Sequence, residues 1–317
     1  MDNQELKYIK SIDIKGLWNR LDVHWDLNDD VNILVGENGT GKSTMLRSVV
    51  ELFNSINEIS KGFNIYLNDK AKELKVQYYH QGKDFLFKLG YSGTNSVISV
   101  SINDKLQLRY STGKTLKDKD KEEFETLYQT YKPDFINTFD APIPYLNGNG
   151  KAYLKTNLDV ELDILEKEFI TYRFKKLRSL INDKAALKSE TYFYNTINRL
   201  FEPTGKQLNR EDEKLSFITS DNNNLHWSEL SSGEKQFLII LMTVLCQDEK
   251  PSVLIMDEPE ISLHLRWQYE LIEIIRTLNP HCQLLIATHS PSIYGKGWRD
   301  KVKFIKEIIP QMQQQLA

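Results

Sequence analysis

The sequence predicts an α/β protein whose core is split by inserted structure, and three observations lead there. A strand-like run, VNILVG, ends in a glycine-rich loop, GENGTGKST at 36–44, and passes directly into the amphipathic run KSTMLRSVVELFNSI. Far along the chain, SVLIMDEPE and CQLLIATHSP read as buried strands, with the amphipathic LRWQYELIEIIRTL between them. The residues separating these two blocks first alternate with period two and then become polar and helical.

The elements follow in order. Residues 7–35 alternate as strands in YIKSIDIKGL, LDVHWDL and VNILVG. After the loop, Leu46, Val49, Val50, Phe53 and Ile56 recur at helical spacing. From 63 to 112 short strands return (FNIYLN, LKVQYYHQ, KDFLFKLGYS, NSVISVSIN, KLQLRYS), with Gly, Asn and Asp between them as turn formers. KDKDKEEFETLYQTYK opens a charged helix, and INTFDAPIPYLNGNG interrupts it with Pro and Gly. Residues 156–201 read as long polar helices without a sustained heptad. KLSFITSD and LHWSEL then lead to LSSGEKQ and an apolar helix over 234–246. The expected organisation is a split core of residues 1–60 and 215–317, an antiparallel β subdomain at 61–114, and a helical insertion at 115–214.

Composition narrows the class. The 317 residues are 40% hydrophobic and 27% charged, enough for a sizeable core, and the net charge of −3 argues against a basic nucleic-acid-coating protein. Cys246 and Cys282 sit in apolar runs, where free buried thiols are expected, and no CxxC or Cys/His cluster suggests a metal. The charged start MDNQELKYIK is unlike a signal peptide. The apolar window FLIILMTVLC is about half the ~20 residues a membrane helix needs, so a cytoplasmic, membrane-free setting is expected.

Four short stretches carry chemistry. Gly36, Glu37, Asn38, Gly39, Thr40, Gly41, Lys42 and Ser43, followed by Thr44, fit G-x-x-x-x-G-K-[ST] between a strand and a helix. Glycines let the backbone wrap a phosphate, and successive N–H groups point inward at a helix start. Lys42 would neutralise phosphate oxygens, and Ser43 would offer its hydroxyl to Mg2+. The alternative is a glycine turn that binds nothing. Asp257 and Glu258 emerge from a buried strand, where Asp257 would hold Mg2+ through water and Glu258 would orient or deprotonate an attacking water. A solvated loop or a helix cap is the plainer reading of that pair. His289, after the next buried strand, suits a γ-phosphate or water contact, although a lone His is more often structural. In LSSGEKQ, Ser231 and Glu234 form a capping box, and a capped helix start is also an anion site, so Ser231, Ser232, Gly233 and Glu234 are nucleotide-contact candidates. The run at 173–188 sets Arg173, Lys175, Lys176, Arg178, Lys184 and Lys188 against Asp183. It reads as a solvated face, with DNA or partner contact as the alternative.

GENGTGKST, LSSGEKQ, VLIMDEPE and ATHS, in that order, resemble the P-loop, signature, acidic strand and switch histidine of the ABC ATPases. The resemblance implies a P-loop NTPase fold of ABC-ATPase type, with ATP and Mg2+ as ligands. It also implies a homodimer or higher oligomer in which two heads sandwich ATP and one subunit's signature completes the other's P-loop site. Ser232 and Glu234 in the signature, its long distance from the P-loop, and His264 in DEPEISLHLRWQ resemble the OLD/RecF-like branch with SMC-like heads, including ATPase subunits of anti-phage systems. Some of those relatives carry a C-terminal TOPRIM nuclease. None is expected here, and Asp118 and Asp120 in KDKDK read as solvated surface. The family's magnesium-sensing Gln has no clear counterpart: Gln77, Gln81 and Gln129 lack the context, and Thr138 or Asp140 would be replacements. The expectation is thus an ATPase working as a head-to-tail dimer and controlling a separate effector or nuclease, in anti-phage defence. A DNA-repair or chromosome-handling ATPase and an ATP-locked scaffold with little turnover are the alternatives. The output surface is expected on the insertion, where TYFYNTINRLF looks exposed beside the basic run.

Overall fold

A computed structural model describes residues 6–62, 71–92, 95–138, 140–146, 152–179, 188–212 and 214–313. The expected strand FNIYLN lies outside them. In chain order the elements are β1 (Lys7–Leu17), β2 (Leu21–Asp26), β3 (Val31–Val35), α1 (Lys42–Ser60), β4 (Glu73–His80), β5 (Lys83–Ser92), β6 (Asn95–Ile102), β7 (Lys105–Ser111) and α2 (Asp118–Tyr131). They continue with β8 (Asp134–Asn137), β9 (Pro142–Leu146), β10 (Ala152–Thr156), α3 (Asn157–Ser179), α4 (Lys188–Phe201), β11 (Lys206–Leu208), β12 (Ser216–Thr219) and β13 (Asn224–His226). The last stretch holds α5 (Ser232–Cys246), β14 (Ser252–Asp257), α6 (Leu265–Leu278), β15 (Cys282–Thr288), α7 (Pro291–Tyr294), β16 (Val302–Phe304) and α8 (Ile305–Ile308).

The chain forms two compact units. The first comprises Met1–Phe135, Pro251–Glu258 and Gln283–Ala317. Its antiparallel sheet has six strands in the order β2-β1-β4-β5-β6-β7. A second sheet runs β16-β3-β15-β14-β8, with β3 parallel to both β15 and β16. The strands around β3 read as unbroken apolar runs because both faces are covered, whereas β4 alternates buried and half-buried residues because one face meets the core. Helix α1 buries Met45, Leu46, Val49, Leu52, Phe53, Ile56 and Ile59 in one cluster with strand residues of both sheets. Phe53 contacts the rings of Tyr78 at 5.8 Å and Phe87 at 5.1 Å. Each such side chain taken fully from water contributes about 1.5–3 kcal/mol.

The sequence division placed residues 7–26 with the nucleotide-binding core. In the structure β1 and β2 instead hydrogen-bond within the antiparallel sheet, Ile12 opposite Trp25 and Val76. Alternation reports which face is buried; it says nothing about which strand pairs alongside.

The second unit comprises Ile136–Lys250 and Pro259–Cys282. Helix α5 is buried on nearly every side, which is why it reads as a continuous apolar run. Helices α3, α4 and α6 pack on it, with the small sheets β9-β10 and β11-β12-β13 in the same unit. The aromatics of α4 correct an expectation. Phe193, Tyr194 and Phe201 are 0%, 2% and 0% exposed, so they are core, not an exposed docking surface. Phe201 stacks between Phe217 at 5.8 Å and Trp267 at 5.5 Å. Part of the basic run is also neutralised within the unit: Arg173 pairs with Glu190, and Lys176 with Asp248. Lys184 lies outside the described residues. No helix among the described residues is long and apolar enough to cross a membrane.

Candidate functional site

In the first unit, the loop 36–41 leaves the C-terminal end of β3, and His289 follows the C-terminal end of its parallel neighbour β15. Asp257 is the last residue of β14. Ligands collect at such ends because loops there are free to shape a crevice. Gly41 caps α1 with φ 103°, a left-handed geometry that favours glycine, and a side chain there would meet the Trp18 ring at 3.0 Å. Trp18, in the β1–β2 turn at φ 51°, was not singled out in the sequence. Glu37, Asn38 and Gly39 are exposed, and Thr40 closes the loop by donating to the Glu37 carbonyl at 2.7 Å. Thr44 lies in the first turn of α1, where its carbonyl accepts from Ser48.

Lys42, at the start of α1, is only 3% exposed. Its ammonium donates to the Gly36 carbonyl at 2.7 Å and the Glu37 carbonyl at 3.0 Å, and meets His289 Nε2 at 2.7 Å. A lysine ammonium only donates, so Nε2 accepts here and the ring proton belongs on Nδ1. Glu258 Oε1 stands 3.3 Å from the same Nε2. Glu258 has φ 52°, a strained backbone for a non-glycine residue, and its N–H is anchored to the Ala287 carbonyl at 2.8 Å. Such strain costs about 1–3 kcal/mol and persists where surrounding structure enforces it.

Ser43 Oγ donates to Asp257 Oδ1 at 2.7 Å, and Arg47 Nη2 reaches Asp257 Oδ2 at 3.2 Å. A hydroxyl beside a carboxylate is a hard oxygen donor set that suits Mg2+. Arg47 was missed in the sequence, although its place four residues after Ser43 puts both on one face of α1. It steadies the carboxylate that Ser43 touches.

The signature residues lie in the second unit. Ser231 Oγ accepts from the Glu234 N–H at 3.3 Å, and the Ser231 N–H donates to Glu234 Oε2 at 2.9 Å, the capping box read from the sequence. Glu234 goes further than a cap. It is 2% exposed and also accepts from Thr204 at 2.8 Å and from Lys206 at 2.7 Å. Burial works against its charge, but the bonds from Lys206, the Ser231 backbone, Thr204 and the Ser231 hydroxyl outweigh that and lower its pKa below the ordinary 4.5. Its carboxylate is thus occupied inside the fold, while Ser231 and Ser232 beside it are exposed. A Cβ on Gly233 would meet the Ser262 carbonyl oxygen at 2.3 Å, so the glycine permits close approach of α5 to the 259–264 loop. Gln236 supports the same contact by donating to the Pro259 carbonyl at 2.9 Å.

A depressed carboxyl pKa stabilises the fold above its unfolded value and loses that contribution as pH falls through the folded value. Glu234→Gln is therefore expected to lower stability by about 1–3 kcal/mol at pH 7, since Lys206 loses its charged partner. The deficit should shrink as pH drops below 4.5. Urea unfolding of both proteins across that range checks it, and a pH-independent gap would contradict it.

Asp140 accepts from Ser232 Oγ at 2.9 Å, and Thr138 is buried. Gln77 lies in β4, Gln81 in the β4–β5 turn, and Gln129 on α2 bonded to Glu125. His264 caps α6, accepting from the Arg266 N–H at 3.3 Å. Asp118 and Asp120 occupy the first turn of α2, where acids favour a helix start. Of the two free cysteines, Cys282 is buried and Cys246 half-buried.

Residues 31–294 match the family described as "AAA domain, putative AbiEii toxin, Type IV TA system". The Septu protein PtuA of Bacillus thuringiensis is 22% identical over 307 residues, spanning 89% of this chain and 72% of that protein. An Smc head solved in complex with the C-winged helix domain of ScpA superposes with a TM-score of 0.52 at 12% identity, covering 91% of each chain. An Smc head with an extended coiled coil, bound to the C-terminal domain of ScpA derived from Pyrococcus furiosus, gives a TM-score of 0.47 at 13% identity over 92% of each chain.

Proposed function

We propose that this chain, which belongs to the AAA-domain family described as putative AbiEii toxin of type IV toxin–antitoxin systems, binds ATP with Mg2+ and hydrolyses it as a head-to-tail dimer. It is related to an anti-phage defence protein and has an SMC-head-like P-loop fold. The observation that carries the proposal is the convergence of Lys42, His289 and Glu258, with Lys42 Nζ 2.7 Å and Glu258 Oε1 3.3 Å from His289 Nε2. Ser43 and Asp257 would hold Mg2+, which neutralises phosphate charge when bound.

The residues then have distinct tasks. The Gly39–Gly41 backbone and Lys42 grip the phosphates. A phosphate drawing Lys42 away from His289 frees Nε2, which can then face the nucleotide or the attacking water. Glu258, held by its anchored backbone, orients that water and accepts its proton. The exposed start of α5 at Ser231–Gly233 offers N–H groups to the ATP of a second copy. ATP state then controls a separate effector or nuclease, and anti-phage defence is the setting that relatedness to PtuA supports. The Smc head bound to part of ScpA supports a protein as the output partner. The internal pairing of Arg173 and Lys176 weighs against DNA as the first ligand of the basic run.

Mixing variants tests action across a dimer. Lys42→Ala and Ser232→Arg subunits are each expected to be inactive alone. A mixed dimer has one site with both lesions and one with neither, so ATPase activity should reappear at up to half the wild-type level per mixed dimer. Proven mixing without recovery would refute sites that are shared between subunits and work independently.

A further inference from the structure

We infer that Arg47 is a positioning residue that makes the candidate metal site selective for Mg2+ over Ca2+, by holding one oxygen of Asp257 so that the other alone is offered to the ion. The inference rests on the proposed ATP–Mg2+ reading of the site and adds a rule for which divalent ion that site takes. Asp257 ends β14 and is 2% exposed, so its carboxylate oxygens need partners inside the first unit. Ser43 Oγ donates to Oδ1 at 2.7 Å, and Arg47 Nη2 donates to Oδ2 at 3.2 Å. Both donors stand on α1, four residues apart on one face, and they take opposite oxygens of the same carboxylate. Oδ1 therefore shares its place with the Ser43 hydroxyl, the other hard oxygen of the site, while Oδ2 is engaged by a guanidinium. Packing does not explain an arginine here. Helix α1 is seated by Met45, Leu46, Val49, Leu52 and Phe53, and Arg47 lies outside that stripe with its side chain 40% exposed.

By charge alone, an arginine beside a metal-binding carboxylate is a disadvantage. It repels every divalent cation to the same degree and so cannot choose between them. Its bond to one particular oxygen can. Mg2+ demands near-octahedral geometry at about 2.0–2.1 Å and gives up its waters reluctantly, so one carboxylate oxygen serves it, directly or through water. Ca2+ gathers about six to eight oxygens at roughly 2.3–2.6 Å and readily takes a carboxylate by both of its oxygens. With Oδ2 bonded to Arg47, Asp257 presents a single oxygen, which meets the need of the smaller ion and falls short for the larger one. Binding by both oxygens would first have to break a charge-assisted bond to a carboxylate that is otherwise buried. Arg47 thus acts on the ion through Asp257 and touches neither the ion nor the phosphates.

Titration calorimetry of the full chain with ATP tests this, with Mg2+ or Ca2+ as the only divalent ion. The readout is the ratio of the two ATP affinities, because general damage to the fold would lower both together. Arg47→Met keeps an aliphatic stem and removes the guanidinium. It should cut the wild-type preference for Mg2+ by at least about tenfold, the effect of one charge-assisted bond, chiefly through tighter binding with Ca2+. Circular dichroism and ATP binding in EDTA should match wild type. Arg47→Lys retains a donor for Oδ2 and should lose less of the preference. An unchanged ratio in Arg47→Met would overturn the inference. So would two affinities that shift by the same factor, since Arg47 would then act as a charge and not as a cap on one oxygen. A wild-type chain that binds ATP equally well with either ion would overturn it too, while leaving the nucleotide reading intact. A wild-type chain that binds ATP with neither ion would overturn the nucleotide reading and this inference together.

Discussion

Lys42→Ala is expected to abolish ATP binding. The ammonium is the one cation set into the loop, and each charge-assisted bond it would make to phosphate contributes about 1.5–3 kcal/mol. Two such bonds amount to a loss of at least ~100-fold in affinity. The residue has a second duty, visible only in the structure: its bonds to the Gly36 and Glu37 carbonyls hold the loop closed, and it is buried. Alanine therefore removes loop contacts as well as the phosphate ligand. Lys42→Met is the control that keeps the buried stem, and it should be folded, with a melting temperature near wild type, and equally unable to bind. Titration calorimetry with ATP and Mg2+ checks both variants. Tight binding by either one would remove Lys42 from the phosphate site.

How much of this was legible in the sequence depends on how local each signal was. The α/β class was legible because a strand–glycine loop–helix and two apolar strands ending in polar residues are written within a few positions. The antiparallel layer was legible from period two. Pairing was not: β1 and β2 look the same whether they join β3 or β4, and the structure pairs β1 with β4. Exposure failed on α4 for a related reason. TYFYNTINRLF is polar enough on average to look like surface, yet Phe193, Tyr194, Ile197 and Phe201 form one buried stripe at helical spacing. In the candidate site, Lys42, Ser43, Asp257, Glu258 and His289 were each read from their own stretch, and the structure brings Lys42 and Glu258 to His289 and, beside them in sequence, Ser43 to Asp257. Arg47 and Trp18 were not read, because their proximity to Asp257 and Gly41 comes from tertiary contact, not from a motif. Glu234 was read as a cap and a ligand contact. Only burial against Lys206 and Thr204, brought in from residues ahead of the signature, shows how completely its carboxylate is used internally.

Glu258→Gln is expected to separate binding from turnover. The amide matches the carboxylate in shape and keeps the backbone bond to Ala287, so the φ of 52° and the position of the side chain beside His289 should survive. What is lost is the ability to accept a proton from water. General-base assistance contributes about 100- to 10,000-fold to a rate, so hydrolysis should fall by at least ~100-fold while ATP affinity stays within a few-fold of wild type. Trapped, unhydrolysed ATP should then hold two chains together, and a nucleotide-dependent dimer should persist on size exclusion when wild type has returned to its apo elution position. His289→Ala provides the contrast. Removing that ring takes away one acceptor of Lys42, so turnover should fall without the gain in trapped dimer, because the base that sets the slow step is still present. If Glu258→Gln turned over at the wild-type rate and His289→Ala did not, the proton would have to leave through the imidazole. Glu258 would then be a positioning residue, holding His289 from the left-handed end of β14.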